Sequence, residues 1–166
     1  LRANENFLRA LGYSQEEIRG KHHRMFVDPA TVQSPSYQEF WAKLKRGEFD
    51  AAEYKRISKT GKDVWIRASY NPIFTPEGTP YKVMKIATDI TEMVETRTEN
   101  EQGMSEAVSV LSGLSNGDLT KKMTREYKGT FAQIKEAVNA TVDRLLHTVK
   151  SITEAAQSVN SAAGEI

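Results

Sequence analysis

The sequence predicts an α+β unit over residues 1–92, then an all-α helix–loop–helix and the start of a parallel dimeric coiled coil. Three observations carry this expectation. Residues 64–70 and 81–87 are rich in β-branched and aromatic side chains with partial alternation, as strands are. From Thr91 the pattern is helical almost to the last residue, with one break at Leu114-Ser115-Asn116-Gly117-Asp118-Leu119, where Asn-Gly-Asp is loop chemistry. In the last third, Val138, Val142, Leu145, Val149, Ile152, Ala156, Val159, Ala163 and Ile166 step by four and three, the seam of a coiled coil.

Each element has a local reason. Residues 4–13 read as a short helix with Phe7, Leu8 and Leu11 on one side, stopped by Gly12. Ser14-Gln15-Glu16-Glu17 is a capping box that opens a second short helix, with Ile18 inward and Gly20 at its end. Asp28-Pro29 marks a turn or a helix start. From Ser36 to Gly47, Tyr37, Phe40, Trp41 and Leu44 fall at i, i+3, i+4 and i+7, one face of a helix. Three strands follow, over about 48–57, 64–74 and 81–89. Ser58-Lys59-Thr60-Gly61-Lys62 and residues 76–80 are the turns between them. Thr88-Asp89-Ile90-Thr91-Glu92 lies where strand pattern gives way to helix pattern. Asp89 and Thr91 can cap the helix, and Glu92 stands at capping-box spacing from Asp89. The stretch reads either as a plain cap or as a joint that passes strain from sheet to helix.

Beyond it, Ile90, Val94, Arg97, Glu101, Met104, Val108 and Leu111 form a heptad seam with a polar middle. Leu119, Met123 and Tyr127 are isolated anchors in a polar, extended connector. Thr130 is the expected cap of the next helix. There Phe131, Ile134, Val138 and Val142 step by three, four and four, a phase change before strict heptads resume.

Composition excludes several classes. Twenty-three basic residues against 22 acidic ones leave a formal charge of +1, so no bulk attraction to nucleic acid is implied. The absence of cysteine removes disulfides, thiol catalysis and thiolate metal sites. No apolar run approaches the roughly 20 residues of a membrane span. A chain that begins at Leu1 and ends in mid-pattern is expected to be a piece of a longer protein. No phosphate loop, carboxylate constellation or metal-ligand spacing is present, and the chain is expected not to be an enzyme.

The first half resembles the PAS sensor family. The resemblance runs through the helical opening at 4–21, the Phe40-Trp41…Leu44…Gly47 helix, Tyr54-Lys55-Arg56…Lys59-Thr60-Gly61-Lys62, Trp65-Ile66…Asn71-Pro72-Ile73 and the terminal Asp89-Ile90-Thr91. In that family the final triplet couples the last strand to an output helix, which implies a signal-transfer role for Asp89, Ile90 and Thr91. A whole PAS domain has two further strands before the first helix, so a three-stranded sheet with a bare edge on the third strand is expected here. The family also implies a pocket between sheet and helices. His22 and His23 are the histidines of this half, and either is a candidate haem iron ligand. The alternative reading leaves one exposed and the other bonded to a loop. Trp41 is a candidate for stacking on a flavin. Met25-Phe26-Val27-Asp28-Pro29, standing where flavin-binding relatives carry Arg-His-Pro-Asp, puts flavin behind haem. An empty or small-ligand pocket ranks before both.

The second half resembles a HAMP domain, the parallel four-helix relay of bacterial receptors. Gly117-Asp118-Leu119 matches its signature, and Gly129, Phe131 and Asn139 match the form found in chemoreceptors. The resemblance implies a PAS domain at 1–92, a linker helix at 93–103, a HAMP domain at 104–147 and the start of a signalling coiled coil at 148–166. It further implies a cytoplasmic homodimer, from a soluble or membrane-anchored parent, that transduces a ligand, gas or redox signal. The partners would be a chemotaxis histidine kinase and a coupling protein, reached through the missing C-terminal part. The rival classes are a sensor histidine kinase and a dimerising coiled-coil adaptor. His147, in Leu145-Leu146-His147-Thr148, has no acidic neighbour or Pro, as a phospho-acceptor helix would require.

Overall fold

The structure, a computed structural model, describes residues 1–164. The seam position Ile166 lies outside the described residues. The chain divides into two compact units, Leu1–Val94 and Glu95–Ile166.

In the first unit, α1 (Glu5–Leu11) starts where the Asn4 side chain accepts from the Phe7 N–H, and Gly12 closes it in the left-handed region. The Ser14–Glu17 capping box opens α2 (Gln15–Ile18). This helix ends at Ile18, before Gly20. A 3₁₀ turn (His23–Phe26) follows, then α3 (Pro29–Gln33), capped by Asp28, and α4 (Pro35–Lys45), capped by Ser34. Asp28-Pro29 is thus a helix start. Of the face predicted for α4, Phe40 and Leu44 are buried, while Tyr37 and Trp41 are half-buried.

Strands β1 (Asp50–Ile57), β2 (Asp63–Phe74) and β3 (Pro80–Asp89) form an antiparallel sheet of order β1-β2-β3. The expected three strands and edge position of β3 are observed. Ile57 faces Asp63 across the first hairpin, and a register shift at Ile73/Phe74 follows the Pro in β2. Val64, Ile66, Ala68 and Tyr70 alternate inward from β2 onto Leu11, Ile18, Phe26, Phe40 and Leu44. Arg56 and Lys85 occupy inward positions on β1 and β3, the first buried and the second half-buried.

In the second unit, α5 (Thr91–Ser115, which begins in the first unit) and α6 (Gly129–Gly164) are joined by a connector. Gly117, at φ +78°, ends α5: Gly117 and Asp118 donate back to Leu114 and Gly113, a geometry that glycine adopts without strain. The connector returns along α5, since Thr124 and Tyr127 bond Glu106 and Arg125 bonds Gln102. Helix α6 therefore begins beside the start of the pair and runs parallel to α5. It starts at Gly129, which puts Thr130 inside the first turn; the expected Thr130 cap is corrected. The packed stripe of α5 also differs from the predicted seam. Ala107 and Val110 are buried and Leu114 packs against them, with Met123 and Val142 opposite, whereas Met104, Val108 and Leu111 are exposed. The helix carries two apolar stripes, and the partner helix in the same chain covers one. Among the described residues no helix is long and apolar enough to cross a membrane.

Candidate functional site

A cavity of about 570 Å³ lies in the first unit between β3, α1 and the 3₁₀ turn, with Tyr70, Trp41 and Ile18 in its wall. His23 lines it and is buried. Its Nε2 lies 3.1 Å from the Tyr70 hydroxyl and its Nδ1 3.3 Å from that of Tyr37. Arg56 donates to the Tyr70 oxygen at 3.0 Å, so the phenol's own proton is free for His23 Nε2, and Nδ1–H then donates to Tyr37. Burial, followed by the positive charges of Arg56 and Lys85, pushes the imidazole down to about 3, so His23 is neutral at physiological pH. Burial pushes Tyr70 up, and burial with the Arg56 charge brings Lys85 down to about 7.

His22 sits outside the cavity lining. Its Nδ1 accepts from the Arg24 N–H at 3.2 Å, and its ring lies 5.2 Å from that of Trp41. These contacts test an iron site. In either tautomer the one lone pair of neutral His23 is engaged with a tyrosine, and that of His22 is spent on Arg24. The two imidazoles as arranged do not fit haem ligation. Trp41 lines the cavity, but its ring is already packed by His22, His23, Tyr37 and Phe40. What it offers without a partner is the indole N–H. Among the described residues no group of three or more His, Cys, Asp or Glu could hold a metal ion.

Asp89, Ile90 and Thr91 form a second constellation. The Asp89 carboxylate accepts from the Thr91 N–H at 2.9 Å and from its hydroxyl at 2.6 Å. This is a two-residue turn; its acceptor is spent on Thr91 and not on a capping box with Glu92. The Thr91 hydroxyl oxygen accepts from the Trp65 N–H at 3.0 Å, and the Ile90 N–H donates to the Trp65 carbonyl at 2.9 Å. Ile90 and Thr91, where α5 begins, are therefore tied to both backbone groups of one β2 residue. Ile90 itself is buried. The same strand carries Tyr70 into the cavity.

The third constellation belongs to the second unit. Asn139 clamps the connector: its Oδ1 accepts from the Met123 N–H and its Nδ2 donates to the Met123 carbonyl, both at 2.9 Å. Met123 is thereby seated in the core between the helices. Asp118 accepts from Thr120, which holds the Gly117-Asp118-Leu119 corner and lowers the carboxyl of Asp118 below its usual range. Leu119 is half-buried, and Gly129 opens α6 at φ +57°. The Phe131 ring lies where a side chain at Gly103 would stand, within 2.4–2.9 Å of an added Cβ. Glu106 takes the Thr124 N–H at 2.8 Å and the Tyr127 hydroxyl at 2.6 Å; burial acts to raise its carboxyl, and these bonds leave it lowered overall. Sequence reading missed Gly103 and Glu106. A glycine at four-residue spacing from Ala107 is the signal that marks the first; Glu106 has none apart from facing Tyr127 in three dimensions.

Cavity, strand-to-helix tie and clamped helix pair together define a sensory unit of the PAS class followed by a parallel helical relay. The chain belongs to the PAS fold family, whose profile matches residues 1–87, and residues 90–147 match the HAMP domain. It is a PAS–HAMP signal-transduction module. It is 39% identical over 92 residues to the biofilm dispersion protein BdlA of Pseudomonas aeruginosa, covering 55% of this chain and 22% of that one. With the methyl-accepting chemotaxis protein McpB of the same organism it shares 35% over 79 residues, 48% of this chain and 11% of McpB. The chain thus spans about a fifth of the first relative and about a ninth of the second. A solved RNA-binding light-oxygen-voltage receptor is similar in fold, with a TM-score of 0.52 at 22% identity, over 63% of this chain and 29% of that one.

Proposed function

We propose that this module is the sensing and relay segment of a homodimeric chemotaxis receptor. The first unit holds a small ligand in the cavity beside Tyr70 and Lys85. A change there alters β2, and the Trp65–Thr91 tie passes it to the first turn of α5. The HAMP unit converts this into altered packing along a dimeric coiled coil that starts near 148, and the parent controls a histidine kinase through a coupling protein. The observation that carries the reading is the pair of bonds joining the Trp65 backbone to the Ile90 N–H and the Thr91 hydroxyl: a helix so tied cannot keep its register when the strand shifts. The exposed stripes Met104, Val108, Leu111 and Leu145, Val149, Ile152 support dimerisation, because stripes of this size are rarely left to water.

The test is a set of insertions of one to seven residues after Thr96 in the full receptor, read out as kinase control. Each inserted residue turns the downstream helix by about 100°. Seven nearly restore the face, with a drift of about 20°. Output should swing with register and return near seven. Uniform signalling across all seven would reduce Asp89-Ile90-Thr91 to a plain cap.

A further inference from the structure

Arg2, Lys82 and Lys85 are among the residues that line the cavity of the first unit, and no carboxylate residue is; of the two lysines, Lys85 is the one on the inward face of β3. Lys85 stands opposite Tyr70 in the sheet. Its ammonium lies 4.4 Å from the centre of the Phe7 ring and 5.4 Å from that of Tyr70, shielded from water and without a hydrogen-bond partner. The Trp41 indole N–H, in the same wall, is also buried without an acceptor, and so is Nε of Arg56, whose guanidinium holds the Tyr70 hydroxyl. The unpartnered buried side-chain atoms among the described residues are thus all donors. A buried donor left unpaired is costly, and a buried ammonium more so. The rest of the wall is largely apolar, with Phe7, Ile18, Phe26 and Val83. Donors that lack acceptors, set in an apolar wall, are completed by an acceptor-bearing anion with an apolar body.

We propose that this cavity binds a small organic carboxylate, whose oxygens accept from Lys85 Nζ and Trp41 Nε1 while its aryl or branched alkyl body packs on Phe7, Ile18 and Phe26. The assignment rests on the sensor reading above and names the ligand class. A neutral ligand leaves the ammonium unpaired, and a cationic one meets Lys85 with no carboxylate in the lining to offset it. The groups around Lys85 are Arg56 on β1, neutral His23 on the 3₁₀ turn, Tyr70 on β2, and Arg2 and Lys82 in the cavity wall. With its own titration near 7, Lys85 is only partly charged at neutral pH, and a bound carboxylate restores its proton. Affinity therefore falls with rising pH above about 7, by roughly tenfold per unit until the bound amine itself titrates.

Calorimetric titration of the 166-residue chain with benzoate, phenylacetate and isovalerate, each against its own amide, tests this. At least one acid should bind, and its amide should bind at least tenfold more weakly. Lys85→Met should lose the acid by at least tenfold and melt at a higher temperature without added ligand, because it removes an unpaired buried ammonium. Trp41→Phe, which keeps a ring in the wall, should weaken the acid severalfold; this variant and the acid–amide comparison decide the matter should Lys85→Met fold poorly. Amides that bind as well as acids, or full acid affinity in Lys85→Met, overturn the anion assignment and leave the sensor reading standing. No binding by any acid also overturns it, whereas the sensor reading falls only with the linker insertions.

Discussion

The two units treat their apolar residues differently. In the first, Leu11, Ile18, Phe26, Leu44 and Tyr70 are each 2% exposed or less, and its exposed large apolar residues, apart from Leu1 and Met93, lie on β3 and at strand ends. In the second, Val110, Met123 and Val142 close one seam, yet Met104, Val108 and Leu111 on α5 and Leu145, Val149 and Ile152 on α6 are all more than 40% exposed. One chain suffices to build a core around the cavity. The helix pair covers one stripe of each helix and presents the other. A unit with a finished core can hold a ligand in fixed geometry; a unit with an unfinished one can be repacked by a small rotation, which suits a relay.

The comparison breaks most visibly at the exposed seam. Leu145→Asp with Ile152→Asp should abolish self-association in sedimentation, at least a hundredfold in dissociation constant, because each chain would bury charge against its partner. The thermal transition of the first unit should not move. In the opposite sense, Phe26→Ala should destabilise the first unit by about 3–5 kcal/mol in denaturant unfolding and leave the dimer intact.

Asn139→Ala leaves the Met123 N–H and carbonyl unpaired. It should cost about 1–3 kcal/mol locally, seen as faster hydrogen exchange over residues 119–127 with β2 unchanged. Other effects are pH-dependent, confined to the first unit and small per pH unit. Folded His23 titrates near 3, below its ordinary 6.5, so the unfolded chain takes the proton first and stability falls as pH drops below 6.5. Folded Lys85 titrates near 7 against an ordinary 10.5, so between those values the unfolded chain holds a proton the folded one lacks, and stability rises with pH there. Each slope is at most about 1.4 kcal/mol per pH unit. His23→Asn should flatten the acid limb between pH 6.5 and 5, and Lys85→Met the alkaline one, both followed by thermal melting.

Much of this contrast was legible in sequence and some was not, for physical reasons. The strands, the α4 face and the Asn-Gly-Asp break follow from periodicity and turn chemistry, which are local. Lys85 and Arg56 were readable in principle, since they stand two residues from inward Val83 and Tyr54, but a cation in a strand is ordinarily taken as outward. On α5, Met104, Val108 and Leu111 and the packed Ala107, Val110 and Leu114 both keep helical spacing; which stripe a chain covers itself depends on a helix nearly 30 residues on. The Trp65 tie depends on a strand 26 residues earlier, which no local capping rule reports.

Hydrogen exchange on the 166-residue chain over a concentration series tests the contrast most directly. A core finished within one chain should show protection of β2 amides around Ile66 to Tyr70 that does not change with concentration. Protection along α6 from Leu145 to Val159 should rise in step with dimer formed. Concentration-independent protection of α6, or β2 amides that follow the dimer, would contradict the account.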